Sequence, residues 1–415
     1  MSHENEDEYE TGRGPLSGLK VIDLTTSYAG PTAAMYLADL GADVIKVERP
    51  GSGDDARGWG PPFVDSRSAW FASANRNKRS VVIDLRHPDG LAALRRLIAT
   101  ADVFIENLNP AKLRTSGIGP DRLRQDFPHL IYCAISGFGL SGPDCELPGY
   151  DLVAQARSGM MSVTGAEGGT PQRVSTALSD IVTGMCAALA ISAAAVRQRE
   201  QGTGDLIDMS LLDCDLALMA PRIAAYLAGA PEPAPSGGTD SVLAVYQTFS
   251  AADRELVVAI GNDAMWARFC RAVGLPHLAA DAALADNEGR RRNRGVIVRE
   301  VGARLRTRSA AEWISVLADV QVPCSMVQGL SEVVADAQVV ARGALLPVPG
   351  TEGRMHTVHS PFRLASTPIA PNSPSPDLAA HTTEILSEHG FSDAEIEELA
   401  GSGAVEVAEQ QGARR

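Results

Sequence analysis

Apolar positions in the first half of the chain fall into short runs that alternate with helix-spaced patterns. Residues 19–24 (LKVIDL) form a near-continuous apolar run, as a strand buried on both faces requires. Residues 31–40 follow with Ala33, Leu37 and Leu40 at helical spacing, and Pro31 suits a first helical turn. Further strands are expected at 43–47, 80–84, 102–106 and 130–136, with a helix over 90–101. Strands alternating with helices predict an α/β fold around a mostly parallel sheet.

The pattern changes near Ala228. Residues 229–240 (GAPEPAPSGGTD) hold three prolines and three glycines, a loop composition. Beyond them, residues 244–249 and 256–260 read as a strand pair around a turn at 251–254, and helical patterns dominate to about Asp336. The expected organisation is an arm over 1–14 without fixed structure, a large domain over 15–228 and a small α/β domain over 229–336. A C-terminal return to the large domain follows over 337–400, with helices at 382–388 and 393–399, then a disordered tail over 401–415.

Composition removes several classes of function. With 45% hydrophobic and 21% charged residues among 415, a substantial core can be buried. A net charge of -14 disfavours nucleic-acid binding, which needs a cationic face. The first ten residues are acidic and do not resemble a signal peptide. The uncharged helical run 181–196 spans 16 residues, short of a membrane crossing, so no membrane association is expected. Six scattered cysteines with no CxxC pattern read as free thiols in a reducing cytoplasm, and no metal site is expected.

Three places could carry chemistry. The turn after the first strand, TTSYAGP, retains Gly30 but lacks the GxGxxG of a dinucleotide site, so it reads as a helix-capping turn. Residues 46–86 contain eight cations against five acids, a local +3 in an anionic chain. Such a stretch suits a phosphorylated small molecule, or is a solvated loop with incidental charge. Asp180 opens a long helix of small apolar residues. Ser179 or Asp180 reads as an N-cap, or Asp180 as a carboxylate nucleophile toward an activated acyl group.

Ordered segments tip that balance. They are PLSGLKVIDLT at 15–25, AGP at 29–31, LGADVIKVERPGSGDDARGW at 40–59, NRNKRSVVIDLR at 75–86, ADVFIEN at 101–107, GYDLVAQARSGM at 149–160 and LSDIVTGM at 178–185. VYQTF at 245–249, VAIGNDAMWARFC at 258–270 and VPCSMV at 322–327 complete the series. Together they resemble the class III CoA-transferases, the family of the formyl-CoA and carnitine CoA-transferases.

The resemblance implies an interlocked homodimer, each chain with a Rossmann-like CoA-binding domain and a smaller one. Coenzyme A and acyl-CoA enter as substrates beside a carboxylic acid, with no tightly bound cofactor. The family's nucleophilic aspartate falls on Asp180. Its CoA contacts fall on Tyr28, Ala29, Arg49, Ile83, Asp84, Leu85, Arg86, Asn107, Leu108, Asn109, Arg114 and Tyr150. Three positions depart from the pattern: Tyr28 replaces a glutamine, Thr115 an expected arginine with Arg114 one place early, and Leu147–Pro148 a basic residue. The family's glycine-rich lid has a short counterpart at Gly237 and Gly238, equally readable as an interdomain loop.

The implied reaction transfers CoA between acids through an aspartyl mixed anhydride and an aspartyl-CoA thioester. An α-methylacyl-CoA racemase is the nearest alternative, but its histidine position holds Tyr150, and a phenol is a poor match for that histidine. A non-catalytic CoA-binding protein is the third reading, against which the retention of Asp180 weighs.

Overall fold

A computed structural model describes residues 14–240, 242–367 and 373–408, with Thr115 described by its backbone alone. The expected N-terminal arm therefore lies outside the described residues except for Gly14, and so does the tail from position 409. The chain divides into two compact units. The larger comprises residues through Met160, Val174–Ala228 and Val340 onward; the smaller comprises Met161–Arg173 and Gly229–Val339.

The larger unit is built on a sheet whose strands are β1 (Lys20–Leu24), β2 (Asp43–Glu48), β3 (Lys78–Ile83), β4 (Val103–Glu106), β5 (Ile131–Ser136) and β6 (Leu206–Ser210). All pair in parallel in the order 3-2-1-4-5-6, the doubly wound Rossmann order. Side chains alternate between two cores. Val21, Val44, Val103, Ile105, Ile131 and Cys133 face one layer, while Ile22, Ile45, Phe104, Tyr132 and Ala134 face the other. Continuous apolar runs were thus the correct signature of strands covered on both sides.

The first layer contains α1 (Ala29–Asp39) and α4 (Leu178–Gln201); the second includes α2 (Pro88–Ile98). Between these in sequence lies α3 (Asp151–Arg157), and α5 (Leu211–Leu218) follows β6. Helices α1 and α4 meet closely at Gly184, where an added Cβ would lie 2.7 Å from the Ala29 carbonyl oxygen and 2.8 Å from Thr32 Cβ. At 24 residues, α4 extends past the uncharged run through Arg197 and Arg199, and its mean hydropathy reaches 1.7 over 18 residues. By length and composition alone it is long and apolar enough to cross a membrane, being longer than the 16-residue uncharged run within it. Its Ala187, Ala188, Ile191 and Ala195 are built into the sheet core.

The C-terminal segment forms α6 (Thr382–Glu388) and α7 (Asp393–Gly401), whose Ile385, Leu386 and Ile396 enter the second core. The tail expected from 401 is instead ordered through position 408 and adds β7 (Val405–Glu406) antiparallel to β3. Two residues are too few to show a period, and the strand forms because it completes an open sheet edge.

The smaller unit contains the expected strand pair, β8 (Tyr246–Ser250) and β9 (Glu255–Ala259), joined by a third antiparallel strand, β10 (Cys324–Met326). Phe249, Leu256, Val258, Trp266, Phe269 and Trp313 lie in its core. Residues 161–173, read from sequence as part of the large domain, belong with this unit, where the Gly165 carbonyl accepts the Gly237 N–H.

Candidate active site

The chain moves outward from β1 in one direction through β2 and β3, then returns to the other side of β1 as β4. The loops leaving β1 and β4 diverge at this reversal, where doubly wound sheets open a crevice. Asn107 bridges them: its Oδ1 accepts the Thr26 N–H at 3.0 Å and its Nδ2 donates to the Thr26 carbonyl at 2.9 Å. Beyond the bridge lies a cavity of about 260 Å³ lined by Thr26, Ser27, Ala29, Asn107, Leu108, Asn109, Gly137, Tyr150, Asp180 and neighbours.

Asp180 is the third residue of α4 and half-buried on this wall. The N-cap is Ala177, with no side-chain cap, so neither Ser179 nor Asp180 serves the capping role that composition suggested. That work falls to Asp151, the first residue of α3, whose Oδ1 accepts the Ser179 N–H at 2.8 Å and whose Oδ2 accepts the Gln155 amide at 2.8 Å. Asp215 on α5 takes the Ser179 hydroxyl at 2.8 Å. Burial, then the neighbouring Asp151 and Asp215 carboxylates, push Asp180 up to about 7. Near neutrality it is poised between carboxylic acid and carboxylate.

A second cavity of about 530 Å³ opens over the carboxyl ends of β1, β2 and β3 and shares Thr26 and Leu108 with the first. Arg49, Ile83, Asp84, Leu85 and Arg86 line it. The floor is a buried ion network. Lys46 meets Asp54 at 2.8 Å and donates to the Thr25 carbonyl at 2.9 Å, while Asp54 accepts the Ser27 N–H at 2.9 Å. This holds Ser27 at φ +70°, a left-handed conformation costing a non-glycine residue about 1–2 kcal/mol. Lys78 meets Asp23 at 2.9 Å, and burial pulls its ammonium down to about 8 against the attraction of Asp23. Arg57 holds Glu48 through two bonds of 2.7 Å.

The eight cations of the basic stretch are therefore not a free patch. Each makes an ion pair: Lys46, Arg57, Arg76 and Lys78 inside the fold, Arg49, Arg67, Arg79 and Arg86 nearer solvent. Only Arg49 and Arg86 among them line the second cavity, paired with Asp55 and Asp84. Such exposed pairs contribute little to stability and can exchange partners with a phosphate.

The family model for CoA-transferase family III matches residues 16–382. The chain belongs to this family. It is 38% identical over 394 residues to the succinyl-CoA:glutarate CoA-transferase of Mus musculus, covering 94% of this chain and 90% of the relative. It is also 38% identical over 381 residues to the succinate–glutarate CoA-transferase of Agrobacterium fabrum, covering 90% and 95%. The crystal structure of a CAIB/BAIF family protein from Brucella suis superposes with a TM-score of 0.80 at 37% identity, covering 91% of this chain and 100% of that one. The protein is an enzyme, a class III CoA-transferase.

Its expected site residues divide between the two cavities. Ala29, Asn107, Leu108, Asn109, Tyr150 and Asp180 line the first; Arg49, Ile83, Asp84, Leu85, Arg86 and again Leu108 line the second. Tyr28 lies outside both linings, its hydroxyl 2.8 Å from Ser73 Oγ and its ring edge-on to Trp70. Arg114 pairs with Glu146 and borders a separate depression. Asn109 caps its own helix through the Ala111 N–H, so its amide, like that of Asn107, is already engaged. Gly237, at φ +63°, and Gly238 form a turn in the smaller unit tied by Gly165, Ser236 and Thr239, not a free glycine strand.

Sequence reasoning missed that Asp151 and Asp215 hold Ser179 beside Asp180 and place their carboxylates near it. Asp151 was within view, inside the GYD motif, but its reach to the start of α4 is a tertiary contact across 28 positions. The close pair Gly137 and Gly149 was also unread: a Cβ on either would approach the other's Cα to 2.7 Å or less, so both must be glycine for the GYD segment to lie on the end of β5.

Proposed function

We propose that this enzyme moves CoA from an acyl-CoA thioester to a carboxylic acid through covalent intermediates on Asp180. The observation that carries the reading is the state of that side chain. It lines an open cavity, accepts no hydrogen bond among the described residues, and caps no helix. Only the carboxylate form has a lone pair suited to attack, so activity rises with pH as Asp180 ionises.

An Asp180 oxygen forms a bond to the thioester carbonyl carbon, the C–S bond breaks, and CoA thiolate leaves with the electron pair. The resulting mixed anhydride is attacked at the aspartyl carbonyl by the same thiolate, which expels the donor acid as its carboxylate. The acceptor carboxylate then attacks the aspartyl-CoA thioester, and the returning thiolate takes the acyl group from the second anhydride. Thioester energy is retained at every step, provided water is kept from both intermediates. In this reading the second cavity receives the phosphorylated part of CoA, with Arg49 and Arg86 exchanging Asp55 and Asp84 for phosphate oxygens. Thr26 and Leu108, common to both walls, mark the passage of the pantetheine arm.

The glutarate-using relatives make succinyl-CoA and glutarate the first substrate pair to test. Incubating the full chain with both should yield glutaryl-CoA and succinate with total thioester conserved. Release of free CoA without a new thioester, across a panel of mono- and dicarboxylic acids, would contradict transfer. The reading includes a homodimer, supported by the apolar Met185, Leu189 and Val196 that α4 leaves exposed, together with Tyr226 and Leu227. It also includes a cytoplasmic location, which suits six cysteines without disulfides.

A further inference from the structure

The start of α4 is fixed by groups that the reaction itself does not consume. Ser179, directly before Asp180, gives its N–H to Asp151 and its hydroxyl to Asp215 Oδ2. Asp215 is fully buried and does not line the Asp180 cavity. Its other oxygen, Oδ1, is buried without a hydrogen-bond partner among the described residues. Leaving a buried carboxylate half-satisfied is costly. An asparagine would offer Ser179 the same acceptor without a charge, so the charge is what an aspartate adds at this position.

We propose that Asp215 is a positioning residue for Asp180, locking Ser179 in place and setting a carboxylate behind the nucleophile that favours loss of the nucleophile's own charge. The inference rests on the transferase reading. When the Asp180 oxygen bonds to the acyl carbon and the C–S bond breaks, the negative charge passes from Asp180 to the departing thiolate. Repulsion from Asp151 and Asp215 is full in the ground state and falls as the transition state forms, which is differential stabilisation. The charged groups facing Asp180 are Asp151 from α3 and Asp215 from α5. Helix α1, packed on α4, brings no charge in its first two turns, the end of β5 brings Ser136 and Gly137, and Tyr150 is the remaining titratable side chain on the cavity wall. Asp215 itself is raised by burial and by Asp151, while the Ser179 hydroxyl favours its charged form.

Asp215→Asn removes the charge and keeps an acceptor for Ser179; Asp215→Ala removes both. Two readouts on the full chain separate electrostatics from scaffolding: infrared titration of the Asp180 carboxyl without ligand, and the pH profile of kcat with succinyl-CoA. Asp215→Asn should move the Asp180 titration and the acid limb of kcat to lower pH by about one unit. Its plateau kcat should fall about threefold, because a less basic carboxylate is a weaker nucleophile, with KM for succinyl-CoA unchanged. Asp215→Ala should show the same displacement with added loss of stability. If Asp215→Asn matches the wild type in both titration and acid limb, Asp215 is scaffolding and the proposal fails, although an acyl adduct on wild-type Asp180 would leave the transferase reading intact. If the titration moves but wild-type Asp180 never carries an acyl group, the transferase reading fails and the proposal with it.

Discussion

Replacing Asp180 by asparagine should make the protein more stable while it loses the nucleophile. Burial and the two neighbouring acids raise this carboxyl from 3.8 to about 7. Because the folded chain binds the proton more tightly than the unfolded chain, the contribution of this group to stability is complete below about pH 4. It is lost progressively as pH rises through about 7, where Asp180 ionises in the native state. At roughly 1.4 kcal/mol per pH unit the difference amounts to at most about 4 kcal/mol above neutrality. Water entering the open cavity screens part of it, leaving about 2 kcal/mol. Asparagine has the same shape and no charge, so Asp180→Asn recovers this amount at high pH and almost nothing at low pH. For a chain of this length the gain corresponds to about 2 °C in Tm. Calorimetry of both proteins at about pH 5 and about pH 8.5 provides the test, with the gap opening as pH rises. A difference independent of pH, or a variant less stable at the higher pH, would refute the electrostatic account of this position.

Other outcomes follow from the same contacts. Asp151→Ala deprives the Ser179 N–H and the Gln155 amide of their acceptor, and urea denaturation should show a loss of about 2 kcal/mol, with Asp151→Asn intermediate. Lys46→Met leaves Asp54 without its buried counter-charge, while Asp23 keeps Lys78, and should cost about 3–5 kcal/mol in the same assay. Gly184→Ala drives a methyl against the Ala29 carbonyl and Thr32, costing about 1–3 kcal/mol and lowering Tm. Arg49→Ala with Arg86→Ala should raise KM for acyl-CoA about tenfold, leave Tm nearly unchanged and weaken the salt dependence of KM.

The sheet was legible because its strands are apolar on both faces and separated by helix-spaced segments. The run from 19 to 24 and the strand β1 at Lys20–Leu24 differ by one residue. Strand β3 was placed two residues late, since it begins with Lys78 and Arg79. Hydropathy excludes both residues, whereas the fold neutralises them with Asp23 and with Asp43, Glu384 and Glu388. The same blindness produced the basic patch. Counting charges between 46 and 86 showed how many cations were present, but not that their partners Asp23, Asp39, Glu384 and Asp377 lie elsewhere in the chain. Asp180 could be chosen only through the family resemblance, because local rules assigned that carboxylate to a cap. What frees it is Asp151, and that contact depends on Gly137 and Gly149 meeting face to face.

The central claim concerns one bond, the ester-like link between Asp180 and an acyl group or CoA. Peptide mass spectrometry after brief exposure of the full chain to succinyl-CoA addresses it directly. A mass increase is expected on the peptide bearing Asp180, convertible to the hydroxamate by hydroxylamine and missing from Asp180→Asn. An unmodified Asp180 peptide in an enzyme that is turning over, or an adduct persisting in the variant, would contradict the account.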